Sequence, residues 1–175
     1  MQPDVIGTHP PRIAPATLAQ MLKDAVHEER YRADYDGFGN PYQGMTHCNQ
    51  FCAEVLGWYA PSFPWGRFAD PKFGACKMVG EMQRNTGEWT QCVNWDTAHA
   101  HAARGHLVIA GRVESEGNGH VCVIAPEKME YSGSWMKRVP LCANVGRSVF
   151  YGLRLSRAFK TEPEAWLFLG NKEET

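Results

Sequence analysis

The chain has 175 residues and a formal net charge of −1, with 18 Lys and Arg set against 19 Asp and Glu and no basic stripe. That balance argues against a dedicated nucleic-acid binder, which gathers lysine and arginine on one face. Hydrophobic residues at 43% and charged residues at 21% describe a globular chain, and the length suits a single domain over 1–175 with enough core to fold without a metal or disulfide staple.

The opening MQPDVIGTHPPRIAP has neither a positive n-region nor an apolar h-region, so no Sec signal peptide is expected and residues 1–14 read as an extended lead-in. No apolar run reaches the roughly 18 residues of a membrane span. The expectation is synthesis in the cytoplasm, with any export by a specialised route. In PATLAQMLKDAV, Leu18, Met21, Leu22, Ala25 and Val26 form one apolar helical stripe, with Pro15 suited to the first turn. DYDGFGNPYQG reads as a loop. Its Asp34, Asp36 and Asn40 give a partial calcium-loop look, but Phe38 and Met45 stand where oxygen ligands are required.

A second helix is expected from MTHCNQFCAEVLGWY, with Phe51, Val55 and Leu56 on its apolar side. An aromatic, proline-punctuated loop follows, and Trp58, Tyr59, Phe63, Trp65 and Phe68 could line a groove, a core or an interface. ACKMVGEMQRN and WDTAHAHAARG read as two further helices, the latter ended by Gly105. The period then changes. HLVIAGRV and HVCVIAP are β-rich runs separated by ESEGNG, a hairpin signal. VPLCANVG and SVFYGLRLSRAF add candidate strands, EPEAWLFLG closes the ordered chain, and a flexible tail is expected over 170–175. Helices followed by antiparallel strands make an α+β pattern.

Two cysteines stand four residues apart at the start of the second helix. Cys48 falls in the first turn, where unpaired N–H groups and the helix dipole favour a thiolate. Cys52 lies one turn further in, roughly 40° around the axis, where that influence has faded, and reads as a small packing residue. The bland alternative for Cys48 is a structural cysteine. His120 begins a strand after a glycine turn, from which an imidazole could take the thiol proton and return it to a leaving amine. A third group must fix that ring. Asn144 suits the task and Cys142 is the alternative; Asn144 could equally be a turn residue ahead of Gly146. The backbone N–H of Cys48, aided by His47 or Gln43, is the candidate oxyanion site, and Asn49 and Trp65 are candidate substrate contacts.

The six cysteines are spaced too irregularly for a zinc ribbon. Cys76 and Cys92 could pair in an oxidising space, and the disulfide status of Cys52, Cys76, Cys92, Cys122 and Cys142 is left open. His99 and His101 would point about 200° apart on a helix, so a metal site from these and His106 is disfavoured. No phosphate-loop, dinucleotide or serine-elbow motif appears. No metal and no cofactor is expected.

HCNQFCAEVLG, GACKMVGEMQ, AHAARGHLVIAGRV and NGHVCVIAP together resemble successive blocks of the papain-like peptidoglycan amidases, related to NlpC-type and CHAP peptidases. The nearest likeness is to the first family of type VI secretion amidase effectors. Cys48-Asn49-Gln50-Phe51 matches the family's Cys-(Ser/Asn)-x-Phe motif, Ala75 to Val79 its following helix, and Leu107 to Gly111 and Gly119 to Val121 its two strands. The likeness covers residues 45 to 126. It implies a papain-like fold with Cys48 as nucleophile and His120 as base, and it leaves the third position to Asn144 or Cys142. It further implies hydrolysis of a peptidoglycan peptide stem, between D-glutamate and diaminopimelate, in a rival's periplasm, with a cognate immunity protein. A phage endolysin, a transferase or deamidase using the same dyad, and a non-enzymatic binding module are the competing readings.

Overall fold

The computed structural model describes residues 10–31, 47–62, 66, 74–114 and 119–170. The proposed calcium loop, Gln43, Phe63, Trp65, Phe68 and the 171–175 tail lie outside these residues. The chain is α+β. In order it forms α1 (Pro15–Val26), a 3-10 turn (Glu29–Tyr31), α2 (Cys48–Tyr59), α3 (Gly74–Arg84), β1 (Trp89–Gln91) and α4 (Trp95–Ala102). Strands β2 (Val108–Val113), β3 (Gly119–Ile124), β4 (Glu130–Ser132), β5 (Lys137–Val139), β6 (Leu141–Asn144) and β7 (Phe150–Arg154) follow. A short α5 (Leu155–Ala158) and β8 (Glu164–Phe168) complete it.

Six strands make one antiparallel sheet in the order β1-β8-β2-β3-β6-β7, while β4 and β5 form a separate hairpin. The strand from the end of the chain therefore lies between β1 and β2, with Ala110 opposite Ala165 and Gln91 opposite Trp166. Both faces of the sheet are covered. Alternation sends Ile109, Val121, Val123, Trp166 and Phe168 to a cluster with Leu18, Leu22, Phe51, Val55, Met78 and Met82 of α1, α2 and α3. The intervening Val108, Ala110, Cys122, Ile124 and Leu167 pack with Trp95, Ala98 and Ala102 of α4 and with Leu155 and Phe159. Two buried faces explain why LVIAG and VCVIA read as continuous apolar runs without polar alternation.

Several local features have direct causes. The Asn94 side chain caps α4 by accepting from Thr97 N at 2.8 Å. Gly105 closes that helix with φ +84° and presents its carbonyl to Ile13 N at 2.8 Å and to Tyr59 Oη at 2.9 Å, which ties the lead-in and α2 to one turn. The run SVFYGLRLSRAF is not one strand. β7 runs through Gly152, which at φ +74° sits at the irregularity where the β6–β7 register shifts between Cys142 and Ala143, and ends at Arg154. From Leu155 the chain turns into α5, with Leu155 N on Pro140 O at 2.9 Å and its side chain in the core. The three-residue β1 and the β4–β5 hairpin are too short to register as periodic patterns in the sequence.

Candidate active site

Three side chains meet at the start of β3. Cys48 is the first residue of α2, and the carbonyl of the preceding His47 accepts Phe51 N–H at 2.9 Å, so Cys48 stands on the first helical turn. Its thiol is hydrogen-bonded to the His120 imidazole. His120, the second residue of β3, gives its Nε2 to Asn144 Oδ1 at 2.7 Å. Asn144 ends β6, the neighbour of β3, and its Nδ2 donates to Ser148 O at 2.6 Å. Asn144 is buried, so the amide has its two partners inside the protein rather than in water.

Of the two candidates for the third position, Cys142 is excluded by its surroundings. Its thiol points to Leu153 O at 3.6 Å, within the cluster on the α4 side of the sheet, and it bonds to the thiol of Cys122 rather than to the imidazole. Cys52 is fully buried, and burial, with the neighbouring Cys48 and Cys142, pushes its thiol well above the ordinary range. Cys122 is pushed up in the same way by burial and by Cys142. These thiols are poor thiolates, and Cys48 alone among them meets an imidazole. All six cysteines are free thiols, so Cys76 and Cys92 are not joined.

Burial drives the His120 ring towards the neutral form. Hydrogen bonding to Cys48, its negative charge, the Asn144 bond and the charge of Glu114 act the other way and prevail, so the imidazole titrates above its ordinary range. A charged imidazole beside a thiolate is the chemically competent state of a cysteine nucleophile. Cys48 itself is 1% exposed.

The remaining sequence candidates fall in different places. His47 is half-buried, with its Nδ1 against Gln50 Oε1 one turn on. Asn49 is buried, not on an open surface. His99 Nε2 meets Glu127 O at 2.9 Å, whereas His101 and His106 stack edge-on with ring centroids 5.9 Å apart. Among the described residues no group of three His, Cys, Asp or Glu side chains is arranged to hold a metal ion. Trp58 is half-buried against the core and Tyr59 is buried within it. A depression of about 160 Å³ lies by the start of α4, lined by Cys92, Trp95 and Glu162 among others, and none of Cys48, His120 and Asn144 borders it.

Four residues at the site carry no signal in the sequence. Ser148 supplies only a carbonyl, Glu114 acts through charge from the end of β2, Gly146 meets the edge of the His120 ring, and Phe159 lies against it with centroids 4.9 Å apart and planes at 53°. Cys48 belongs to the cluster on one side of the sheet and Phe159 to that on the other, so His120, at the mouth of β3, touches both. Among the described residues, no helix is long and apolar enough to cross a membrane. Compared with known proteins, the chain matches no family model and no curated sequence.

Proposed function

We propose that the protein is a cysteine amidase that cleaves the peptide stems of bacterial peptidoglycan. The observation that carries the reaction class is the relay from Asn144 through His120 to Cys48 at a helix start. The substrate rests on the resemblance of residues 45 to 126 to the papain-like wall amidases. A nucleophile at the first turn of α2, with its base on β3 and the orienting amide on the adjacent β6, is the layout a papain-like, NlpC-type fold calls for.

In the proposed reaction the Cys48 thiolate adds to the scissile carbonyl while the His120 imidazolium stands ready with a proton. The oxyanion is held by N–H groups at the start of α2, where the helix dipole favours negative charge. Collapse breaks the C–N bond, and the His120 proton goes to the departing amine. Neutral His120 then takes a proton from water, whose oxygen attacks the thioester, and the carboxylate leaves as Cys48 regains its starting state. Asn144 keeps the imidazole aligned throughout.

Cleavage between D-glutamate and diaminopimelate, delivery by a type VI secretion apparatus, action in a target periplasm and neutralisation by an immunity protein complete this reading. A phage lysin would use the same chemistry. The near-complete burial of Cys48 favours one further alternative, acyl transfer to an amine in a water-poor site, with ammonia or an amine as the leaving group. Deamidation of a protein, which consumes water, is the variant it does not favour. Digestion of purified sacculi and muropeptides, read by mass spectrometry, separates these. The amidase reading requires new termini at one stem bond, absent in Cys48→Ala. Unchanged muropeptides with the wild-type protein would remove it.

A further inference from the structure

We propose that Gly146 and Phe159 are positioning residues for the His120 imidazole, and that position 146 is glycine for the sake of the ring rather than the backbone. The functional meaning rests on the cysteine-hydrolase reading above.

The glycines that occupy left-handed backbone among the described residues are Gly74, Gly105, Gly152 and Gly170. Gly146 is not one of them, so its backbone conformation would accept an L-residue. Space is what excludes a side chain. A Cβ at 146 would stand 3.0 Å from His120 Cε1, 3.6 Å from Nδ1 and 3.9 Å from Nε2. The bare α-carbon thus abuts the carbon between the two ring nitrogens. Phe159, 3% exposed and anchored just beyond α5, lies against the same ring at a centroid distance of 4.9 Å.

The need for such contacts follows from the histidine itself. Its second torsion is soft and has no sharp well. Turned by half a rotation, the ring would exchange Nδ1 with Cδ2 and Nε2 with Cε1, presenting carbon to Asn144 and Cys48 alike. Proton passage requires nitrogen within about 2.6–3.2 Å of its partner. The hydrogen bond to Asn144 is the one lasting point of the ring, because the bond to Cys48 is given up when the sulfur attacks. Gly146 at the Cε1 edge and Phe159 against the ring restrict the rotation that this single point leaves.

The test is the pH profile of Cys48 alkylation by iodoacetamide, resolved by mass spectrometry, for the folded full-length wild type, Gly146→Ala and Phe159→Leu. This readout needs no wall substrate. The wild-type protein should show a reactive plateau extending below the range of an ordinary thiol. Gly146→Ala forces the ring aside by a few tenths of an ångström, and the Cys48 rate near pH 6 should fall roughly tenfold with the plateau lost. Phe159→Leu, which keeps an apolar side chain but not the aromatic contact, should shift the profile the same way. If Gly146→Ala does not fold, Phe159→Leu decides alone. A wild-type profile in the folded variants, or a wild-type protein without a plateau, overturns the proposal. Sacculus digestion is measured separately: a plateau lost in the variants, in a protein inert towards sacculi, upholds the positioning roles and removes only the substrate.

Discussion

Asn144 orients His120 with a side chain that is itself oriented, accepting from Nε2 at 2.7 Å while donating to Ser148 O at 2.6 Å. A backbone carbonyl can only accept, so the amide nitrogen must face Ser148 and the amide oxygen must face the ring. Nε2 then carries the proton, which leaves Nδ1 for Cys48. The tautomer follows from the network. Asn144→Ala should lower kcat/KM on muropeptides by roughly 10- to 100-fold through loss of alignment. It should also cost about 1–3 kcal/mol of stability, because a buried carbonyl and a ring N–H lose their partner. Steady-state kinetics and chemical denaturation of the same variant check both effects.

Glu114 is exposed at the end of β2, and its charge helps raise His120. The reactive pair exists while the imidazole is protonated, so it is lost as pH rises through the raised value. The part of its stabilisation that depends on protonation is fully present below the ordinary histidine range and disappears in the same upward direction. Glu114→Gln should therefore move the alkaline limb of the activity profile to lower pH. The difference between the two proteins should vanish near 1 M salt, where screening over about 3 Å removes the influence of an exposed charge.

His101 is held below its ordinary range by burial, by His106 and by Arg104. Its Nδ1 is buried without a hydrogen-bond partner, while His106 Nδ1 faces Pro11 O at 3.2 Å. The unfolded chain binds a proton here more readily than the folded one, so stability is present above the ordinary histidine range and is lost as pH falls through the lowered value. Melting temperatures from pH 7.5 to 5 should fall for the wild type and fall less for His101→Gln. Equal slopes would show that this ring is not the group responsible.

Two glycines beside the helices bear different loads. A Cβ at Gly119 would lie 2.8 Å from the backbone N of Cys76 in α3, whereas one at Gly111 would meet the side chains of Val79 at 2.8 Å and Val121 at 3.0 Å. Side chains yield more easily than a helix backbone. Gly119→Ala should cost about 1–3 kcal/mol and, being adjacent to His120, should also depress activity. Gly111→Ala should cost less and leave activity near wild type. Urea unfolding and initial rates would reveal whether the order is reversed.

Exposure and reactivity should part company among the thiols. Cys92 is partly exposed, yet burial pushes its thiol up to about 11, so it should label slowly at neutral pH. Cys48, almost fully covered but paired with His120, should react first with iodoacetamide and much more slowly with a bulky maleimide. Equal rates with both reagents would contradict the covered state of its sulfur.

The helices were legible because their stripes are local. Leu18, Leu22 and Val26 repeat at helical spacing, as do Phe51, Val55 and Leu56, and Gly105 marks the end of a short helix, whereas its cap at Asn94 emerges only from the structure. The apolar runs of β2 and β3 were legible for the same reason. What the sequence hides is pairing at a distance: nothing in EPEAWLFLG says that it enters between β1 and β2. The site divides in the same way. Cys48 and His120 carry reactive groups at element starts, which makes them visible, whereas Phe159 and Ser148 act through position and through a carbonyl. Cys142 was a misleading candidate because spacing along β6 says nothing of which neighbour its sulfur meets, and that neighbour is Cys122.

The placement of β8 bears on when the main sheet can close. In a growing polypeptide α2, β3 and β6 are made before Glu164 to Phe168. Until that segment inserts, β1 has no partner in the sheet and β2 has one open edge. Such late, long-distance closure slows folding. The sheet that carries His120 and Asn144 is thus complete only once Glu164 to Phe168 have been made and inserted.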